Sequence, residues 1–293
     1  MVGLYDSEMG LLLLGIAATA GSALLSKKAD TIIVDTISVS FFIIGFTLMG
    51  LGLDRMHVDA NIIFTLFIII AFCALVFVQT HIPSFVCVLI ISGSILTLIL
   101  TNHQHYLLNV YVAIMALAMT YFFLNEATII TSGKILPKLY NPIRTGLVFS
   151  FLAGLVLAGE GGFVPVYFYY SWLSAIIIIA AVVYVVTTLF KVLNIFNLQH
   201  KILIGVFTVL VLLPTVSSPA ISGAILIILL SFFINDKTGL VLGIMAFIYF
   251  ISRFYYDLNI TLLTKSILLF SSGILFIIIY LFTHKKWITN EKI

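Results

Sequence analysis

Nine residues carry most of the chemistry this chain offers: Asp54, Arg55, Glu160, Arg253, Tyr255, Tyr256, Asp257, Thr261 and Lys265. Three cations face several carboxylates, with hydroxyl-bearing side chains between them, a combination that can bind an anion or close on itself as ion pairs. Lys265 is the most informative. If the last apolar run begins near Thr261, the lysine lies about one turn inside, roughly 6 Å deep at 1.5 Å per residue, and its side chain can snorkel to the headgroup layer. A cation in a first helical turn opposes the helix dipole at a cost of about 0.3–1 kcal/mol, which favours a carboxylate partner, Asp257 or Glu160 first. Two readings stay open: an ion-paired anchor that fixes the last two helices, or a lysine and an arginine that bind an anionic solute or lipid headgroup.

The elements that must position these groups follow from composition. Of 293 residues, 62% are hydrophobic and 9% charged, and the mean hydropathy is +1.27. Apolar runs of about 20 residues recur throughout, enough for each to cross the hydrocarbon core, where the backbone satisfies its own polar groups as a helix. The short alternating segments of a membrane barrel are absent. The expected fold class is all-α, a polytopic helical membrane protein forming a single transmembrane domain over residues 1–293. Eleven spans are expected, near 9–26, 31–53, 61–79, 84–101, 105–125, 145–160, 167–190, 202–217, 219–234, 238–254 and 261–283. The longest connection, "NEATIITSGKILPKLYNPIR" at 125–144, contains a glycine and two prolines and is expected to leave the helix.

Basic residues set the orientation. With the loop after the first span in the cytoplasm, Lys27, Lys28, Lys134, Lys138, Arg144, Lys191, Lys201, Lys237, Lys285, Lys286 and Lys292 fall inside, and only Arg55, Arg253 and Lys265 fall outside. The positive-inside rule then places the N-terminus outside and the C-terminus in the cytoplasm. The nine residues gather at the outer interface, with Asp59 beside them. The net charge of +3 reports topology, and no nucleic-acid partner is expected. Asp6 and Glu8 stand where a secretory signal would be basic, so the first run is expected to stay in the mature protein.

"VLLPTVSSPAISG", residues 211–223, breaks one long apolar stretch at Pro214 and Pro219. Because Lys201 and Lys237 flank it on the same side, it goes out and back, as two spans with a tight turn or as a re-entrant hairpin of the kind that lines transporter sites. A faint repeat relates 144–190 to 237–283: "RTGLV" at 144 and "KTGLV" at 237 open spans that are each followed by "FYY", at 168 and 254. Tyr169, Tyr170, Trp172, Tyr255 and Tyr256 suit an interfacial aromatic belt. Asp35 reads as interfacial, with proton coupling as the alternative. Cys73 and Cys87 read as free thiols in apolar spans, and His57, His103 and His105 as surface histidines without metal-ligand spacing. No nucleotide-binding loop, nucleophile elbow or HExxH motif occurs, so neither cofactor nor metal is implied and an enzyme is disfavoured.

The segment "NDKTGLVLGIMAFIYFISRFYYDLNITLLTKSILLFSSGILFIIIYLF", residues 235–282, resembles the end of an uncharacterised bacterial membrane family, domain of unknown function 4401. Tyr255, Tyr256, Asp257, Thr261, Leu262, Leu263, Lys265, Ser266 and Gly273 carry the resemblance. It implies a bacterial inner-membrane setting and, besides membrane lipids, partners in the envelope such as a protein bearing a GDYXXLXY motif; that motif is absent here. Three functions are expected from this reading. A transporter or flippase would bind an anionic solute or lipid headgroup in the outer vestibule, a non-catalytic envelope subunit would use the charges as a clamp, and a membrane enzyme would present Glu160 or Asp257 to a lipid-linked substrate.

Overall fold

A computed structural model describes residues 7–28, 32–133, 135–159, 171–192 and 198–257, with isolated positions as far as 277. Eleven α-helices occur among the described residues, and no strand: α1 (Glu8–Lys28), α2 (Ile32–Arg55), α3 (Ala60–Val78), α4 (His81–Thr101), α5 (Tyr106–Leu124), α6 (Glu126–Thr131), α7 (Leu136–Gly159), α8 (Ser171–Val192), α9 (Leu198–Leu212), α10 (Pro219–Phe233) and α11 (Lys237–Asp257). Eight of them, α1–α5, α7, α8 and α11, are long and apolar enough to cross a membrane. Large side chains on their outer faces, such as Leu13, Ile33, Phe72 and Tyr184, are exposed, as suits helices solvated by lipid.

The chain divides into two compact units, Met1–Phe247 and Ile248–Ile293. Within the first, α1 and α2 form a hairpin, α2 and α3 pack on α4, α4 packs on α7, and α5, α7, α8 and α10 close around one another. Backbone proximity sets the α1–α2 crossing. A Cβ at Gly15 would lie 2.7 Å from the Met49 backbone nitrogen, and one at Gly45 would lie 2.9 Å from the Thr19 nitrogen. In lipid, where helices gain little from the hydrophobic effect, such close approach supplies the packing attraction. The deepest core lies farther along the chain, where Val112, Met119, Phe123, Phe151, Leu155, Ile178, Ala224 and Ile227 are almost wholly buried.

Helical structure departs from expectation on either side of α6. The connection expected over 125–144 is largely helical: α6 occupies six of its residues and α7 starts at Leu136, nine residues earlier than the expected span. Pro137 sits in the first turn, where no intrahelical N–H is needed. Pro142 lies inside α7 and is buried together with Leu139 and Tyr140, so the packing of this apolar edge holds a turn that the missing hydrogen bond weakens.

The stretch around Pro214 and Pro219 forms two short helices. α9 and α10 have 15 residues each, about 22 Å at 1.5 Å per residue, against a hydrocarbon core of about 30 Å. They are joined by a 3₁₀ turn, Leu213–Ser217, with Pro214 near its start, and α10 opens on Pro219. Its buried face includes Ala220, Ser222, Gly223, Ala224, Leu226, Ile227, Leu230 and Ser231, which puts this short helix in the middle of the bundle. The eleventh expected span, 261–283, lies outside the described residues apart from isolated positions.

Candidate functional site

An ion pair joins α7 to the short connection between α10 and α11, with the exposed Lys138 and Lys237 nearby in the sequence. Arg144 Nη2 lies 3.3 Å from Asp236 Oδ2, with the two side chains 16% and 15% exposed. The sequence builds the pair from two directions. Arg144 follows the buried turn around Pro142 and stands at the boundary where α7 becomes continuously apolar. Asp236 lies in the short connection between α10 and α11, after Asn235, whose φ of 57° turns the chain. The Asp236 N–H donates to the Ser231 carbonyl at 2.8 Å, and Asp236 Oδ1 accepts the Thr238 N–H at 3.2 Å. A carboxylate at this position also complements the dipole of α11.

The surroundings of the pair are polar and close. The Arg144 guanidinium sits 5.6 Å from the Tyr140 ring centroid, a cation–π distance, and the Tyr140 hydroxyl donates to the Phe122 carbonyl at 3.4 Å. Gly239 is required where α11 crosses α10: a Cβ there would collide with Ser231 Oγ and lie 3.0 Å from Asp236 Oδ2. Two buried polar atoms of the cluster, Arg144 Nε and Ser231 Oγ, have no hydrogen-bond partner among the described residues. The cluster therefore holds donors left over once the ion pair has formed.

A second polar group lies deeper between α4, α5 and α7. Ser150 Oγ donates to Ser92 Oγ at 2.7 Å, and the Tyr111 hydroxyl donates to the Ser150 carbonyl at 3.2 Å. Gly154 admits the Tyr111 ring, since a Cβ there would lie 2.8 Å from it. Half a turn earlier on α5, Ser174 Oγ donates to Asn109 Oδ1 at 3.2 Å. These bonds satisfy side chains that would otherwise be costly in an apolar interior, and they tie α4, α5, α7 and α8 together.

The residues singled out in the sequence are placed in part. Asp54 and Arg55 end α2, exposed, in the first unit, with Asp59 just before α3. Arg253, Tyr255, Tyr256 and Asp257 belong to the last turns of α11, in the second unit. Arg253 and Tyr255 are half-buried, and Tyr256 is exposed and meets Tyr255 edge-on, with ring centroids 5.7 Å apart. Glu160, Thr261 and Lys265 lie outside the described residues, as do Tyr169 and Tyr170; Asp35 falls within α2, its side chain undescribed. Trp172 is exposed at the start of α8. Cys73 is an exposed free thiol and Cys87 a buried one. His103 and His105 stack edge-on at 6.1 Å, and among the described residues no group of three potential metal ligands occurs.

In the sequence Arg144 reads as one more inner-side cation, and Asp236 carries no evident role. The available signal was the pair of segments "RTGLV" and "DKTGLV", in which each apolar run begins beside a charge. The structure brings those two beginnings into contact.

The apolar helices and the polar groups confined to their packed faces define a multi-pass helical membrane protein. The chain belongs to the family described as Domain of unknown function (DUF4401), whose model matches residues 1–286. The resemblance read over 235–282 thus extends across almost the whole sequence. No curated protein and no solved structure matches it.

Proposed function

We propose that this chain is a transporter- or flippase-like protein of a bacterial inner membrane, with its N-terminus outside and its C-terminus in the cytoplasm. In this reading Arg253 and Lys265 bind an anionic solute or lipid headgroup in an outward-facing vestibule. Asp54, Arg55, Glu160, Tyr255, Tyr256, Asp257 and Thr261 are the further candidates that the sequence offers for this ligand-binding or ion-pair role. The observation that carries the reading is the interrupted pair α9–α10. A short, largely buried helix that begins at Pro219 after a 3₁₀ turn places irregular backbone within an apolar bundle, an arrangement tolerated where that backbone is covered by protein or lines a cavity. Continuous spans would serve a purely passive anchor with fewer backbone groups to satisfy.

The test is reconstitution of the purified full-length chain into vesicles containing headgroup-labelled phosphatidylglycerol, with a parallel arm measuring uptake of radiolabelled inorganic phosphate. The expected result is lipid exchange or phosphate uptake faster than in protein-free vesicles. Loss of a charge-assisted contact in Lys265→Ala or Arg253→Ala should slow it by about tenfold or more. Rates equal to those of empty vesicles in both arms would reject transport.

A second reading has its own support. An apolar groove of about 460 Å³ between α1, α2 and α3 is lined by Ala20, Ala23 and Ala74, with Phe42, Ile70 and Phe77 beside them. Small residues of this kind let another transmembrane helix approach closely. That suits a non-catalytic subunit of an envelope complex, for which a GDYXXLXY-motif protein is the partner implied by the family resemblance. Leucine substitutions at Ala20 and Ala74 would then abolish co-purification of that protein while leaving the monomer folded.

A further inference from the structure

We infer that Arg144 forms a binding site for a phosphate group beside the connection between α10 and α11, distinct from the vestibule proposed above and independent of it. The inference starts from an imbalance. A guanidinium has five N–H donors, and a carboxylate matched to it accepts two in parallel at about 2.7–2.9 Å. Here one contact at 3.3 Å reaches a single carboxylate oxygen, a second N–H donates to the Tyr140 hydroxyl, and the other carboxylate oxygen is taken by the Thr238 N–H. Among the described residues the buried Arg144 Nε finds no acceptor, and the Ser231 hydroxyl on the neighbouring helix finds no partner. Leaving such donors unpaired is costly, more so on a charged group. An oxyanion is the chemistry that fits, because it offers several acceptor oxygens and a charge for the arginine.

The position of the site narrows the ligand. Arg144 lies at the boundary between the apolar part of α7 and the turn holding Asn141 and Lys138, both exposed, and Lys237 and Thr238 are exposed at the start of α11. A boundary between an apolar helix and exposed polar residues suits a headgroup layer, and basic groups between helices at that level suit phosphate groups. The opposing charges are Asp236 and the half-exposed Glu126 of α6. Asp236 competes with the ligand for Arg144, yet its backbone partners at Thr238 and Ser231 hold it when the arginine turns away. The same chemistry would accept the phosphate of an anionic lipid or free phosphate.

The wild-type chain in neutral detergent provides the first test. Its unfolding midpoint is followed against inorganic phosphate, with chloride at equal ionic strength as the control. The lipid arm compares retention of phosphatidylglycerol with phosphatidylcholine by native mass spectrometry. Phosphate protection without preferential lipid retention identifies the free ion as ligand; preferential retention of phosphatidylglycerol identifies the headgroup. In either case Arg144→Gln should weaken binding by about tenfold or more, and Asp236→Asn, which removes the competing carboxylate, should strengthen it. Equal responses to phosphate and chloride together with equal retention of the two lipids would overturn the inference. So would an Asp236→Asn variant that binds as weakly as Arg144→Gln, since a purely structural clamp loses the same property from either side.

Discussion

Removing either partner of the Arg144–Asp236 pair should destabilise the protein, and removing both should cost less than the two losses taken together. At 3.3 Å the gross attraction is on the order of 5 kcal/mol for an effective dielectric near 20. Desolvation of two largely buried groups offsets most of it. Exposed pairs couple by about 0.2–1 kcal/mol, whereas breaking a fully buried pair costs about 3–5 kcal/mol. Side chains 16% and 15% exposed, joined by one long contact, place the expected coupling at about 1–2 kcal/mol. Asparagine at position 236 keeps the capping acceptor for Thr238, so Asp236→Asn reports mainly on the charge. The assay is a double-mutant cycle of Arg144→Gln and Asp236→Asn by reversible unfolding in mixed micelles without phosphate. A coupling within about 0.3 kcal/mol of zero would refute the physical account of this pair.

Two further outcomes test the frame that carries it. Gly45→Leu should break the α1–α2 crossing, because its side chain would enter the space of the Thr19 backbone; a loss of about 2 kcal/mol or more, seen as a lowered unfolding midpoint, is expected for such overpacking. A tolerated leucine would show that the two helices do not cross at this glycine. Cysteines placed at His57 and Lys237 should react with an impermeant maleimide from opposite faces of the membrane, His57→Cys in intact cells and Lys237→Cys after permeabilisation. Labelling of both from one face would refute the orientation derived from the basic residues.

Much of the architecture was legible one segment at a time. Length and hydropathy mark α1 to α5, α8 and α11 as spans, and Pro214 and Pro219 mark the interruption before α10, because partition into lipid and backbone hydrogen bonding are local properties. The same local reasoning misplaced the start of α7. Pro142 argues against helix by itself, and only burial with Leu139 and Tyr140 compensates for the hydrogen bond it removes. The positions of Arg253, Tyr255 and Tyr256 near the end of a helix were likewise foreseeable, whereas what they face depends on segments far away in the chain.

The sequence by itself determined that this is a helical membrane protein of the family described as Domain of unknown function, since that follows from the run of apolar residues and from patterns spread along the chain. Tertiary structure decided that Arg144 meets Asp236 across more than ninety intervening positions, that Ser92 and Tyr111 converge on Ser150, and that the short α10 sits among longer helices. In an apolar chain almost every helix face is equally greasy, so hydropathy carries no information about which faces meet. The discriminating features are glycines that admit a neighbour and isolated polar groups that need a partner, and their partners are visible only once the helices are packed.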